Sequence, residues 1–221
     1  MSFEGAIFDL DGTLLDSLED IADAMNAVLK ERGLPEHRLS AYRYFVGEGV
    51  EKLVERALPE NVGTPEAVRE GAAAMRARYR LGGTPKTRPY AGIPELLDAL
   101  RALRMPVAVL SNKPHDATKE MVSRLLGRWP LEPVLGFRPE VPRKPHPAGA
   151  LEIARSLALP PERLLYVGDT ATDMETARQA GMHGVGALWG FREAEELLQG
   201  GARRLVAHPL ELLDLLEDGG R

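Results

Sequence analysis

There is no cysteine among the 221 residues, which excludes disulfides, thiolate catalysis and cysteine-held zinc or iron clusters. Nor is there an apolar run of about 18 residues, so no helix is expected to cross a membrane. The first residues lack the basic, apolar and small-residue order of a secretion signal, and a cytoplasmic location is expected. A basic excess is missing as well. Lys and Arg total 28 against 33 Asp and Glu, a net charge of -5, which argues against a broad nucleic-acid surface while leaving small anionic ligands open. No repeat or low-complexity segment is evident. Asn and Gln are few and Arg outnumbers Lys, as in heat-loving sources but also under GC-rich coding. What the chain does have is 44% hydrophobic content, enough for one large core or a core with a modest second domain.

The stretch Ala6-Ile7-Phe8-Asp9-Leu10-Asp11-Gly12-Thr13 reads as a buried strand that ends in two carboxylates and a turn. Asp9 and Asp11 stand two residues apart, so in extended backbone they point to the same side. In open α/β sheets ligands bind beyond the carboxyl ends of the strands. Adjacent carboxylates repel, and a hard divalent cation or a retained proton is the usual remedy. Alone, the motif also fits a loop or a calcium-type turn.

After Thr13, apolar residues at Leu18, Ile21, Ala22, Met25, Val28 and Leu29 predict an amphipathic helix ending near Gly33. Leu53, Val54, Ala57 and Leu58 continue the helical period. Thr64-Pro65-Glu66 is a helix start, with Thr64 as cap and Pro65 at the first position, for a helix running towards Leu81. Asp16 to Leu81 thus reads as helices only, closed by Gly82-Gly83-Thr84-Pro85, a stretch of interdomain character. From Tyr90 helices and strands alternate. Helices are expected over Ile93–Leu103, Asp116–Leu126, Pro147–Leu157, Thr172–Ala180 and Leu210–Glu217. Strands are expected over Val107–Leu110, Val134–Phe137, Leu164–Val167, Gly184–Leu188 and Leu205–Ala207. This is the pattern of an α/β, doubly wound parallel sheet. The expected domains are a Rossmann-like core of residues 1–15 and 84–221 and an inserted small helical cap domain of residues 16–83.

Three further strand ends or loops carry polar residues suited to phosphate chemistry. Ser111, in Val109-Leu110-Ser111-Asn112-Lys113, offers a hydroxyl, although a Ser-Asn pair also simply forms turns. Lys144, in Arg143-Lys144-Pro145-His146-Pro147, sits on restricted backbone before a proline, although a solvated basic loop would look the same. In Tyr166-Val167-Gly168-Asp169-Thr170-Ala171-Thr172-Asp173 a strand runs into Asp169, and Asp173 falls at a helix start; either acid could be no more than a cap, which explains Asp173 better than Asp169.

With Phe8 to Ser17, Val46-Gly47-Glu48-Gly49, Leu53 to Leu58, Asn112-Lys113-Pro114 and Lys144-Pro145-His146-Pro147, the four segments resemble the haloacid dehalogenase superfamily over nearly the whole chain. Within it the detail looks most like the phosphoglycolate phosphatases. Two stretches depart from that pattern, Gly136-Phe137-Arg138-Pro139-Glu140 in place of a Gly-Gly-Asp loop and Tyr90-Ala91-Gly92 in place of Tyr-Pro-Gly.

The resemblance implies a phosphate monoester hydrolase that works through an aspartyl-phosphate. Asp9 would be the nucleophile and Asp11 the general acid and base. Mg²⁺ would be held by the carboxylates of Asp9 and Asp169 and the backbone carbonyl of Asp11, with Asp173 behind them or bridged by water. Ser111, Asn112, Lys144 and the Gly12–Thr13 turn would bind the phosphoryl group. The implied substrate is a small phosphorylated metabolite, 2-phosphoglycolate, hydrolysed to glycolate and phosphate; a phosphosugar, a nucleotide or pyrophosphate is the alternative, acted on by a related phosphatase or phosphomutase. Basic cap residues Arg43, Lys52 and Arg56 could meet a second anionic group. No nucleic-acid or membrane partner is expected, and the chain is expected to be a monomer or homodimer. A noncatalytic phosphoaspartate receiver shares the acids, hydroxyl and lysine, but needs neither the long helical insertion nor an acid two residues past the nucleophile.

Overall fold

The structure is a computed structural model and describes residues 3–82 and 84–217. Of the glycine-rich stretch that closes the helical block, Gly83 lies outside the described residues.

The chain opens with strand β1 (Gly5–Phe8) and the short β2 (Leu15–Asp16), then runs through helices α1 (Leu18–Glu31), α2 (Leu39–Phe45), α3 (Val50–Ala57) and α4 (Pro65–Gly82). It returns through β3 (Arg88–Pro89) and proceeds as α5 (Ile93–Ala102), β4 (Val107–Pro114), α6 (His115–Leu126), β5 (Leu131–Phe137) and α7 (Ala148–Leu157). The remainder is β6 (Leu164–Gly168), α8 (Ala171–Ala180), β7 (His183–Ala187), α9 (Ala194–Gly200), β8 (Arg204–Val206) and α10 (Leu212–Glu217).

Six strands form one sheet in the order β5-β4-β1-β6-β7-β8, and every pairing in it is parallel. This is the doubly wound α/β architecture expected from the alternation of elements. All four residues of β1 and all five of β6 are buried, as strands covered on both faces must be. Ile7, Leu110, Leu135, Ile153, Leu164 and Tyr166 pack into one apolar cluster around them. Because β1 lies between β4 and β6, the connections leave it in opposite directions. The crevice at its carboxyl end is therefore a topological switch point.

Two compact units separate: residues up to Leu15 with those from Pro89 on, and Asp16–Arg88. The smaller unit is a helical block. Its α1 buries Leu18, Ile21, Ala22, Met25, Val28 and Leu29, the stripe read from the sequence. Thr64 Oγ1 accepts the Ala67 amide at 3.2 Å and so caps α4. The unit runs on to Arg88 because Asp20 on α1 holds the return segment. Its Oδ2 accepts the Thr87 amide at 2.7 Å and the Lys86 amide at 3.1 Å. Strand β4 extends beyond the expected Leu110 to Pro114, and the short β2 and β3, where the chain passes between the units, form a two-stranded sheet not foreseen. They are two residues each, too short for any periodicity to show.

Candidate active site

The ladder of β1 continues one step past Phe8, where the Asp9 amide donates to the Val167 carbonyl at 2.9 Å. The chain then turns tightly, with the amides of Leu14 and Leu15 both on the Leu10 carbonyl. Gly12 has φ +88°, and a Cβ there would lie 2.3 Å from an oxygen of Asp169. Only glycine meets both conditions.

Lys144 is the hub of the buried charges. Its Nζ lies 2.8 Å from Asp9 Oδ1 and 2.7 Å from Asp173 Oδ1, and donates to the Leu110 carbonyl at 3.1 Å. Its backbone is gripped by Asn112, whose Oδ1 accepts the Lys144 amide at 2.9 Å while its Nδ2 donates to the Lys144 carbonyl at 3.1 Å. Asn112, expected among the phosphate-binding residues, thus has both ends of its amide on the lysine. Asp173 is the third residue of α8, and its Oδ2 accepts the amide of Thr170 at 3.1 Å and its hydroxyl at 2.7 Å in a capping box. The capping reading of Asp173 and a part in the charge cluster therefore both hold, one through each oxygen.

Asp169 takes a hydrogen bond from Thr13 Oγ1 at 2.8 Å on one oxygen and from the Phe191 amide at 2.8 Å on the other. Carboxylate oxygens of Asp9, Asp169 and Asp173 lie within 4.8 Å of one another, all buried. Burial pushes the Asp9 carboxyl well above the ordinary range; Lys144 opposes this, and Asp173 and Asp169 add to it. Burial, then Asp173, pushes Asp169 up to about 7 against the Phe191 amide, the Thr13 hydroxyl and Arg192. Lys144 loses some preference for charge by burial, but Asp173 and Asp9 together hold it well above its usual value. Asp9, Asp169 and Asp173 share two cations, Lys144 beside Asp9 and Asp173 and Arg192 acting on Asp169, so the ionised set keeps a net negative charge in an oxygen-only donor set, which fits a hard divalent cation.

Ser111 is buried beside this cluster towards the end of β4, and its Oγ accepts the Lys113 amide at 3.2 Å, a bond that does not use its own proton. Asp11 sits apart from the other acids, its carboxylate 2.9 Å and 3.2 Å from Lys113 Nζ. His146 and His115 accept backbone amides from Ala148 and Gly136 at 3.2 Å, structural duties that suit their scattered placement.

Two features escaped the sequence reading. One is the Lys113–Asp11 pair. The other is the segment after β7, where Trp189 Nε1 donates to the Thr13 carbonyl at 2.9 Å and the Phe191 amide reaches Asp169. A Cβ on Gly190 would lie 2.2 Å from Asp169 Cβ and 2.5 Å from the Gly12 carbonyl oxygen. A glycine between two aromatics just past a strand's carboxyl end was the available signal.

The chain belongs to the haloacid dehalogenase-like hydrolase family, whose model matches residues 6–187. Within that family it is a phosphatase, and the relatives it matches are named for that activity. It is 35% identical to the phosphoglycolate phosphatase of Aquifex aeolicus over 185 residues, 84% of each chain. To the N-acetylmuramic acid 6-phosphate phosphatase of Pseudomonas aeruginosa it is 32% identical over 219 residues, 98% of this chain and 96% of the other. Among solved structures, a haloacid dehalogenase-like hydrolase from Streptococcus pneumoniae superposes with a TM-score of 0.86 at 27% identity, covering 96% of this chain and 98% of that one. No helix among the described residues is long and apolar enough to cross a membrane.

Proposed function

We propose that the protein is an Mg²⁺-dependent phosphatase that hydrolyses 2-phosphoglycolate to glycolate and phosphate through a phosphoryl group carried on Asp9. The observation that carries this reading is the buried set of Asp9, Asp169 and Asp173, with Lys144 beside Asp9 and Asp173, at the sheet's switch point and with negative charge in excess. Asp9 and Asp169 would hold the cation together with the Asp11 carbonyl, while Asp173, engaged by Lys144 and Thr170, would stand behind them. When bound, Mg²⁺ supplies positive charge that draws the phosphate dianion towards an attacking carboxylate.

Lys144 and the Ser111 hydroxyl bind phosphoryl oxygens, and the Gly12–Thr13 turn shapes the cradle. Asn112 keeps Lys144 in place and acts on the phosphate through it. An Asp9 carboxylate oxygen attacks phosphorus as the bond to the glycolate oxygen breaks. Asp11 gives its proton to that leaving oxygen, then takes one from the water that attacks the phosphoryl group, and the Asp9–phosphorus bond breaks to release phosphate. The helical unit is inserted directly after the turn that carries both acids. Zero cysteine suits the reducing cytoplasm, and a monomer or homodimer completes the reading, for light scattering to decide.

Similarity to an N-acetylmuramic acid 6-phosphate phosphatase over almost the whole chain favours that sugar phosphate as a second reading. The test is phosphate release from 2-phosphoglycolate, N-acetylmuramic acid 6-phosphate, hexose phosphates, nucleotides and pyrophosphate, with Mg²⁺ and after chelation. The highest kcat/KM should fall on 2-phosphoglycolate, with activity lost on chelation. A higher value for any other ester overturns the substrate; full activity after chelation overturns the metal.

A further inference from the structure

Lys113 projects from the last turn of backbone in β4, and it is built rigidly. Its amide is held by Ser111 Oγ, and its carbonyl shares the Thr118 hydroxyl, at 3.2 Å, with the Pro114 carbonyl at 3.0 Å. On the next strand, a Cβ at Gly136 would lie 2.7 Å from that carbonyl oxygen, so β5 packs against this backbone without a gap. The side chains of Lys113 and Asp11 are only 10% and 11% exposed, and the ammonium is centred on the carboxylate. The phosphoryl group has its own lysine in Lys144. Lys113 instead stands beside the acid assigned to the leaving group.

The chemistry of the leaving group says what such a cation is for. An oxygen that takes a proton from Asp11 must come within about 2.6–3.2 Å of it. In glycolate the carboxylate sits on the carbon next to that oxygen. An ammonium 2.9 Å from the same Asp11 carboxylate is then within reach of the substrate carboxylate, and its donors on a flexible stem can bridge two anions. Two of the basic residues of the helical unit are engaged within it. Arg56 is engaged by Glu48 and by the Tyr44 and Phe45 carbonyls, and Lys52 pairs with Glu55 at 2.9 Å.

We propose that Lys113 is the residue that recognises the substrate carboxylate, so that selectivity for an ester with an acid group next to its ester oxygen is set in the sheet domain. The inference rests on the 2-phosphoglycolate reading. It is tested by comparing kcat/KM for 2-phosphoglycolate with that for 2-hydroxyethyl phosphate, the neutral ester of equal chain length.

The wild type should prefer the acid ester. Lys113→Met and Lys113→Gln should lose about 100-fold on 2-phosphoglycolate, mostly in KM, and about tenfold or less on the neutral ester, as expected when one charge-assisted contact is removed. Lys113→Arg should restore most of the preference. Melting curves certify the fold, and with two uncharged variants and one cationic variant a single misfolded protein does not end the test. A wild type indifferent to the carboxylate would sink the substrate reading itself, before any variant is made. A wild type that prefers the acid ester, with variants losing equally on both esters, would leave that reading intact and overturn the role of Lys113.

Discussion

Lys144 and its partners Asp9 and Asp173 have side chains between 0 and 9% exposed, whereas Arg76 and Glu51 in the helical unit pair at 2.9 Å with each side chain 38% exposed. Both regions hold opposite charges at hydrogen-bond distance, but only the second has water to fall back on. Exposed pairs gain little from each other because water screens and solvates both partners. Buried charges cannot be released without leaving an uncompensated ion, and the cluster as a whole costs stability that an apolar core would not. The sheet domain keeps that cost at the one place where strand ends converge. The difference teaches that ion pairs are informative about function where solvent has been removed, and say little where it has not.

The sharpest break of the comparison is to remove a charge from the buried set. Asp9→Asn should lower turnover at least about 10⁴-fold, the scale of losing a nucleophile, on both natural and activated esters. Asp11→Asn touches the rim and should behave otherwise. Hydrolysis of 2-phosphoglycolate should fall about 10²–10⁴-fold for want of a proton donor and acceptor. With p-nitrophenyl phosphate, whose leaving group needs no proton, about one equivalent of fast phenolate release should precede a slow phase, with phosphate retained on Asp9. Label on another residue would refute the nucleophile; no burst and no label would remove Asp11 from the general acid and base role.

Much of this region could be read from residues alone, for identifiable reasons. Buried parallel strands are written as unbroken apolar runs, so Ala6–Phe8 and Leu164–Val167 announced themselves, and the acids that interrupt them stood out. Asp9, Asp169, Asp173 and Lys144 meet because the strand order brings those ends together. What sequence could not supply was pairing across loops. The resemblance implied Asn112 as phosphate-binding, but its contacts with the Lys144 backbone depend on what lies across the loop. Trp189 and Lys113 were hidden for the same reason, being set by contacts more than 100 residues away in the chain.

Gly190→Ala tests the packing that holds the buried set. Its Cβ would collide with Asp169 and with the Gly12 carbonyl, so Mg²⁺ affinity measured by calorimetry should fall about 10–100-fold, the usual effect of disturbing a ligand's support. Trp189→Phe removes one hydrogen bond to Thr13 and should lie at the mild end of that range. Unchanged affinity in Gly190→Ala would show that Asp169 needs no such backing.

Stability against pH tests the buried set by its sign. With Asp169 up at about 7 and Asp9 also raised when folded, the metal-free native state binds more protons than the unfolded chain between the ordinary carboxylate range and about pH 7. Stability should therefore fall as pH rises through that window. Melting temperatures of chelated protein should climb by several degrees from pH 8 to pH 5, and Mg²⁺ should flatten the trend by stabilising the ionised form. A metal-free protein that is most stable at pH 8 would contradict the buried-charge account.

The smallest effect belongs to the exposed pair. Glu51 on α3 meets Arg76 on α4 across a surface where both remain hydrated, so Glu51→Gln and Arg76→Gln should each shift unfolding free energy by less than about 1 kcal/mol. A double-mutant cycle isolates the pair from whatever else each side chain touches, and its coupling should be about 0.2–1 kcal/mol at low salt, shrinking as salt screens it. Urea unfolding at two ionic strengths measures both quantities. In the same assay Asp173→Asn, which takes one of two buried carboxylates from Lys144 and leaves it Asp9, should cost about 1–3 kcal/mol. A coupling for Glu51 and Arg76 as large as the Asp173 effect would mean that exposure does not separate the two kinds of pair, and the comparison would fail.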